Sequence, residues 1–182
     1  MPLEFTTSYL QEALACLRYY KKLAENAIGQ ATDEQLFATI DPENNSIAIN
    51  VKHMAGNMRS RWTDFLTADG EKPDRNRDRE FEEPPATRAA LMELWQRGWD
   101  YVFAALEPLS DADLARRVII RGEPHSVMQA INRQVAHYAY HIGEIVLLAK
   151  HFRHTEWRPL TIPRGQSAAF LARVRAGEVS QR

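Results

Sequence analysis

Apolar residues recur along most of this chain with the period of an α-helix. Leu10, Leu14, Leu17 and Ala24 are spaced by four, three and seven residues and so share one helical face. They predict a first long helix starting near Thr7 and ending by Ala27, with Gly29 as its stop. Thr32-Asp33-Glu34-Gln35 has capping-box spacing and predicts a short helical turn. Asp41-Pro42-Glu43-Asn44-Asn45 reads as a loop. Ser46 caps a second long helix, expected to reach Leu66, with Ile47, Val51, Met54, Met58, Trp62 and Phe65 as its stripe. Thr87 caps a third, with Leu91, Leu94, Trp95, Val102 and Leu106 facing inward and Pro108 ending it. Ser126 and Gln129 form a second capping-box pattern, opening a fourth long helix to about Phe152. Its stripe is Val127, Ile131, Val135, Tyr138, Ile142, Ile145 and Ala149. A short helical pattern follows between Ser167 and Val174.

Two stretches break the helical period. From Thr67 to Pro85 the chain is dense in charge of alternating sign, which predicts a long ordered loop or lid. Val118-Ile119-Ile120 is the only strand-like run, either a short hairpin arm or an extended connector. The four long amphipathic helices predict an all-α fold, a four-helix bundle in one domain spanning 1–182. A long loop joins its second and third helices, and a short C-terminal extension follows the fourth. The long connections permit a topology other than simple up-down.

Composition narrows the function classes. A chain of 182 residues, 45% hydrophobic and 26% charged, has the make-up of a water-soluble globular domain. A net charge of -1 argues against nucleic-acid and anionic-membrane partners. No apolar run approaches the ~18 residues of a membrane span. Met1-Pro2-Leu3-Glu4-Phe5 lacks the basic and apolar regions of a signal peptide, and Cys16 is a lone cysteine, so a cytoplasmic location is expected. Cys16 lies beside the first helix's stripe and reads as a packed thiol.

The candidate chemistry lies in His137-Tyr138-Ala139-Tyr140-His141. Two histidines four residues apart fall on one helix face, where their imidazoles can bind a single metal ion. They flank the apolar stripe, in line with Ala130, Gln134, Glu144 and Leu148. That position suits a cleft between helices, where bundle metal sites are built. Two half-buried histidines bonded to carbonyls or water would share the same spacing. There is no His-Glu-x-x-His motif, so zincin-type proteolysis is not supported. A third ligand has to come from Glu144 or from another helix. The second helix offers His53, on a face shared with Gly56, Asn57, Ser60 and Asp64, and by periodicity alone that face is exposed. His125, His151 and His154 lie near helix ends and read as solvated residues.

These residues, with their surroundings, resemble the DinB-like (DinB/YfiT) superfamily of bacterial metal-binding helical bundles. The stretch from Val51 to Trp62 carries the resemblance, with Asp69-Gly70-Glu71-Lys72-Pro73, Arg75-Asn76-Arg77-Asp78, Ile120-Arg121-Gly122-Glu123, the His137–His141 segment with Gly143, and Ile162-Pro163-Arg164-Gly165. They are similar to a branch made up mainly of proteins of unknown function. The resemblance implies an up-down-down-up helix order, a homodimer, and a metal held by His53, His137 and His141. It thereby reverses the exposed reading of His53. Some members of the superfamily are transferases or isomerases that use low-molecular-weight thiols such as bacillithiol or mycothiol.

A three-histidine site leaves a divalent metal with net positive charge and an open position. Zinc or nickel is expected, and iron also accepts three imidazoles. Such a site can lower the pKa of a bound thiol or water, or polarise a carbonyl. A thiol-dependent S-transferase acting on small electrophiles is the first expectation. A metal-dependent hydrolase and a non-catalytic metal-containing stress-response or binding module are the alternatives. Cys16 lies on the wrong helix for a nucleophile, so an external thiol is favoured. Asn57 and Glu144, each one turn from a histidine, are the candidates for holding the imidazoles. Arg59, Arg61, Arg75, Arg77 and Arg121 are candidates for gripping a substrate carboxylate, Arg61, Arg75 and Arg121 foremost, because guanidinium forks match carboxylates. The competing reading makes each a solvated surface ion pair.

Overall fold

The computed structural model describes residues 8–180. Its long helices are α1 (Tyr9–Gln30), α3 (Ile47–Trp62), α4 (Arg88–Leu106) and α5 (Val127–Arg153). The shorter ones are α2 (Asp33–Phe37) and α6 (Ser167–Arg175), and a two-stranded antiparallel hairpin pairs β1 (Arg117–Ile120) with β2 (Glu123–Ser126). The fold is predominantly helical. α1 packs on α5 and α3 on α4, while α3 also meets α5 and α2. Among the described residues, no helix is long and apolar enough to cross a membrane.

The capping residues act as the local chemistry requires. Ser46, Thr87 and Ser126 accept from the backbone amides of Ile49, Ala90 and Gln129, and Thr32 and Ser126 complete reciprocal capping boxes. The predicted start at Thr7 and the segment Met1–Phe5 lie outside the described residues; the α1 cap is Ser8. Gly29 does not stop α1. Ala27 and Ile28 still pack into the core, and the helix ends at Ala31, just before Thr32 adopts the extended backbone that starts α2.

α3 ends four residues before the expected Leu66. Thr63 becomes extended and Asp64 takes a left-handed backbone, while Thr63 Oγ1 donates to the Arg59 carbonyl at 2.7 Å. Phe65 still reaches the core from this turn, its ring 4.8 Å from that of Trp62. The Val118–Ile120 run is a hairpin arm, with Val118 and Ile120 on its buried face. Arg121 and Gly122 both take positive φ, the backbone that a tight two-residue hairpin turn demands. Asp69 holds this turn, accepting from the Arg121 and Gly122 amides at 2.8 and 2.7 Å.

The predicted stripes form one apolar cluster, with Leu17, Met54, Met58, Trp95, Tyr138 and Ile142 all fully buried. Leu94 and Val135 are half-buried. Trp99, outside the predicted stripe of its helix, is fully buried beside Tyr138. α3 departs most from a simple amphipathic helix. Besides its apolar stripe it buries Asn50, His53, Asn57, Ser60 and Arg61, because the loop between α3 and α4 and helix α5 together cover that face. Ser60 Oγ donates to the Gly70 carbonyl at 2.9 Å and accepts from the Lys72 amide at 3.0 Å. Lys52 donates to the carbonyls of Arg79 and Glu83.

Candidate metal centre

α3 and α5 bring three imidazoles to one point. His137 Nε2 lies 3.3 Å from His53 Nε2 and 3.1 Å from His141 Nε2. One ligand atom from each ring lies within 4.8 Å of the other two. Metal–imidazole bonds of about 2.0–2.1 Å place neighbouring nitrogens roughly 2.9–3.4 Å apart, for octahedral or tetrahedral angles. The two direct separations fall in that range. His53 is only 3% exposed, contrary to the helical-wheel expectation, because the loop and α5 cover the polar face of α3.

The outer nitrogens show which way the rings point. His53 Nδ1 donates to Glu80 Oε2 at 2.9 Å, and His141 Nδ1 donates to Glu144 Oε2 at 2.8 Å, with Asn50 Oδ1 3.2 Å away. A carboxylate can only accept here, so Nδ1 carries a proton in both rings and Nε2 is the atom of each that faces inward. Burial, then the nearby His141 and His53, holds the His137 pKa down to about 3, so that ring is neutral. Burial also depresses His141, against the opposing pull of Glu144. Three imidazoles with converging nitrogens form a donor set for a cation, and the group can hold a metal ion.

Glu80 is the residue that periodicity did not reveal. It stands on a single turn of 3₁₀ helix, Asp78–Phe81, inside the charged loop. Its carboxylate takes His53 on one side and a bidentate grip from Arg75 on the other, at 2.8 and 2.9 Å. Burial pushes its pKa up, but the hydrogen bonds from His53 and Arg75 outweigh burial and hold it below the ordinary glutamate value. Gly56 makes this approach possible, since a Cβ there would lie 2.5 Å from Glu80 Oε1. A glycine in mid-helix, three residues from His53, was the available sequence signal for a group packed against that face.

The remaining expected residues sort by their contacts. Glu144 meets His141 directly. Asn57 does not hold a histidine; its Oδ1 accepts from Tyr138 Oη at 3.3 Å, and Tyr138 Oη accepts from Trp62 Nε1 at 2.9 Å. Arg61, Arg75 and Arg121 converge on Glu71, at 3.1, 3.2 and 3.0 Å. The first two are buried, not solvated, whereas Arg59 pairs with Asp74 at the surface. Cys16 lies outside this site, against a different hollow, and burial raises its thiol pKa.

Beside the histidines opens a cavity of about 640 Å³. His53, His137, His141, Asn57 and Glu144 line it, together with Arg61, Arg75 and Arg121. A family model described as a protein of unknown function, DUF1572, matches residues 4–166. The chain belongs to this family. No curated protein and no solved structure matches it. The matched span includes all three histidines, Glu80, Glu144 and the arginine-bearing loop.

Proposed function

We propose that this DUF1572 chain is a DinB-like metalloprotein, a four-helix bundle with up-down-down-up helix order, and a thiol-dependent S-transferase acting on small electrophiles. The observation that carries the reading is the convergence of three imidazole nitrogens beside a cavity lined by arginines. His53, His137 and His141 are the ligands of a divalent transition metal, zinc or nickel ahead of iron. Bound there, such a metal would supply Lewis acidity, which would lower the pKa of a thiol brought to the site.

The chain's own groups do the remaining work. Glu80 and Glu144 fix two imidazoles in the tautomer that directs Nε2 inward. The cationic cavity draws in a thiol or electrophile that carries a carboxylate. Cys16, in another hollow, is left out of the reaction, which favours a thiol brought from solution. The same reading makes the protein a cytoplasmic homodimer.

The test is to incubate the metal-loaded protein with small thiols and a chromogenic electrophile. The expected result is metal-dependent product release that His137→Ala abolishes. Equal rates for wild type and His137→Ala would remove the transferase reading.

A further inference from the structure

Five arginines line the cavity beside the histidines, and their partners divide them. Arg61, Arg75 and Arg121 are bound to Glu71, and Arg75 also to Glu80. None of the three can turn to a ligand without leaving a carboxylate short of its partner, which is costly for the buried pairs. Arg77 and Arg133 are exposed and make no ion pair among the described residues. Their guanidinium groups are open to an incoming anion.

Both are tied to the histidine cluster. The Arg77 guanidinium lies over the Phe81 ring, 4.9 Å from its centroid, and Phe81 stacks on His53 with centroids 4.5 Å apart at 28°. Arg133 stands one helical turn before His137 on α5. One open guanidinium therefore stands on the loop wall and another on the α5 wall. Between Arg133 and His137 lies Gln134, 5% exposed, whose buried Oε1 has no hydrogen-bond partner in the chain. It gives the same wall an acceptor for a hydroxyl or amine on the bound molecule.

We propose that Arg77 and Arg133 are the specificity-determining residues of this cavity, and that they select a substrate bearing two carboxylates, while Arg61, Arg75 and Arg121 build the wall. The inference rests on the reading of the cavity as a substrate site. It assigns substrate recognition to the uncommitted arginines, because a free fork can form a bidentate pair with a carboxylate at no cost to the fold.

The test is calorimetric titration with succinate and with its uncharged counterpart succinamide, on protein as purified and after chelator treatment. Succinate should bind both forms, and succinamide neither. Arg77→Gln and Arg133→Gln should each weaken succinate about tenfold, the expected loss for one charge-assisted pair. The double variant should abolish binding. Arg164→Gln, a surface change away from the cavity, should leave it unchanged, and Arg121→Gln should weaken it less than either of the pair. Succinamide binding as tightly as succinate, a double variant that binds like wild type, or an Arg121→Gln loss larger than both would overturn the assignment. Arginine-dependent succinate binding in a protein that holds no metal would uphold the assignment while the metal reading alone fails.

Discussion

The two faces of α3 are both buried, by opposite means. On one, Met54, Met58 and Trp62 are covered by apolar neighbours, with Gly98 of α4 letting the two helices approach closely. On the other, His53, Ser60 and Arg61 are met by polar groups of the loop, and Asn50 and Asn57 by His141 and Tyr138 of α5. The first face needs only matching shape. The second needs partners for its donors and acceptors, because an unpaired buried polar group is expensive, and Asn50 Nδ2 and Arg61 Nε are left without one. Such an arrangement is fragile and is built where chemistry requires it, and on α3 it surrounds the histidines.

Substitutions on the two faces should therefore fail differently. Glu80→Ala leaves His53 Nδ1 and the Arg75 guanidinium without their shared carboxylate. Breaking a buried pair in this way should cost about 3–5 kcal/mol in urea unfolding. Metal affinity should fall about 10–100-fold in the same variant. Met58→Ala, on the apolar face, should cost about 2–5 kcal/mol through the cavity it leaves, yet keep metal affinity within about twofold. Equal losses of metal affinity in the two variants would erase the distinction between the faces.

Glu144→Ala sharpens the comparison, because Glu144 is half-exposed and meets His141 and the exposed Tyr140, with no buried arginine on it. Metal affinity should drop about tenfold, with unfolding free energy changed by less than about 1 kcal/mol.

The smallest effect is one of pH on the metal-free protein. His137 has its folded pKa depressed from 6.5 to about 3, so the unfolded chain binds the extra proton between those values. Stability contributed by the neutral ring is present above pH 6.5 and is lost as pH falls toward 3; His141, also depressed, adds in the same direction. Lowering the pH from 6.5 to 5 should cost on the order of 1 kcal/mol, and His137→Gln should reduce that slope. A flat stability profile over this interval would show that the imidazole is not held neutral.

The apolar face of α3 was legible from periodicity because Ile47, Val51, Met54, Met58 and Trp62 repeat with the helix. So were the capping residues and the His137–His141 pair, whose chemistry depends on local spacing. His53 was not, since a helical wheel treats a polar face as solvent-facing and only the resemblance turned it inward. Glu80 was harder still: it is 27 residues from His53 in a loop crowded with both charge signs. Alternating charge told of an ordered loop, but not which carboxylate would be drawn under α3. The arginines were visible as candidates, but their division into bound and open groups depends on where Glu71 and Glu80 lie.

The proposed chemistry requires His53, His137 and His141 to share one ion, and the most direct measurement is elemental analysis of protein purified without a histidine tag, wild type beside His137→Ala. About one equivalent of a single transition metal per chain is predicted for wild type, with most of it lost from the variant. Less than about a tenth of an equivalent in wild type, with no tight reconstitution of the apoprotein, would contradict it.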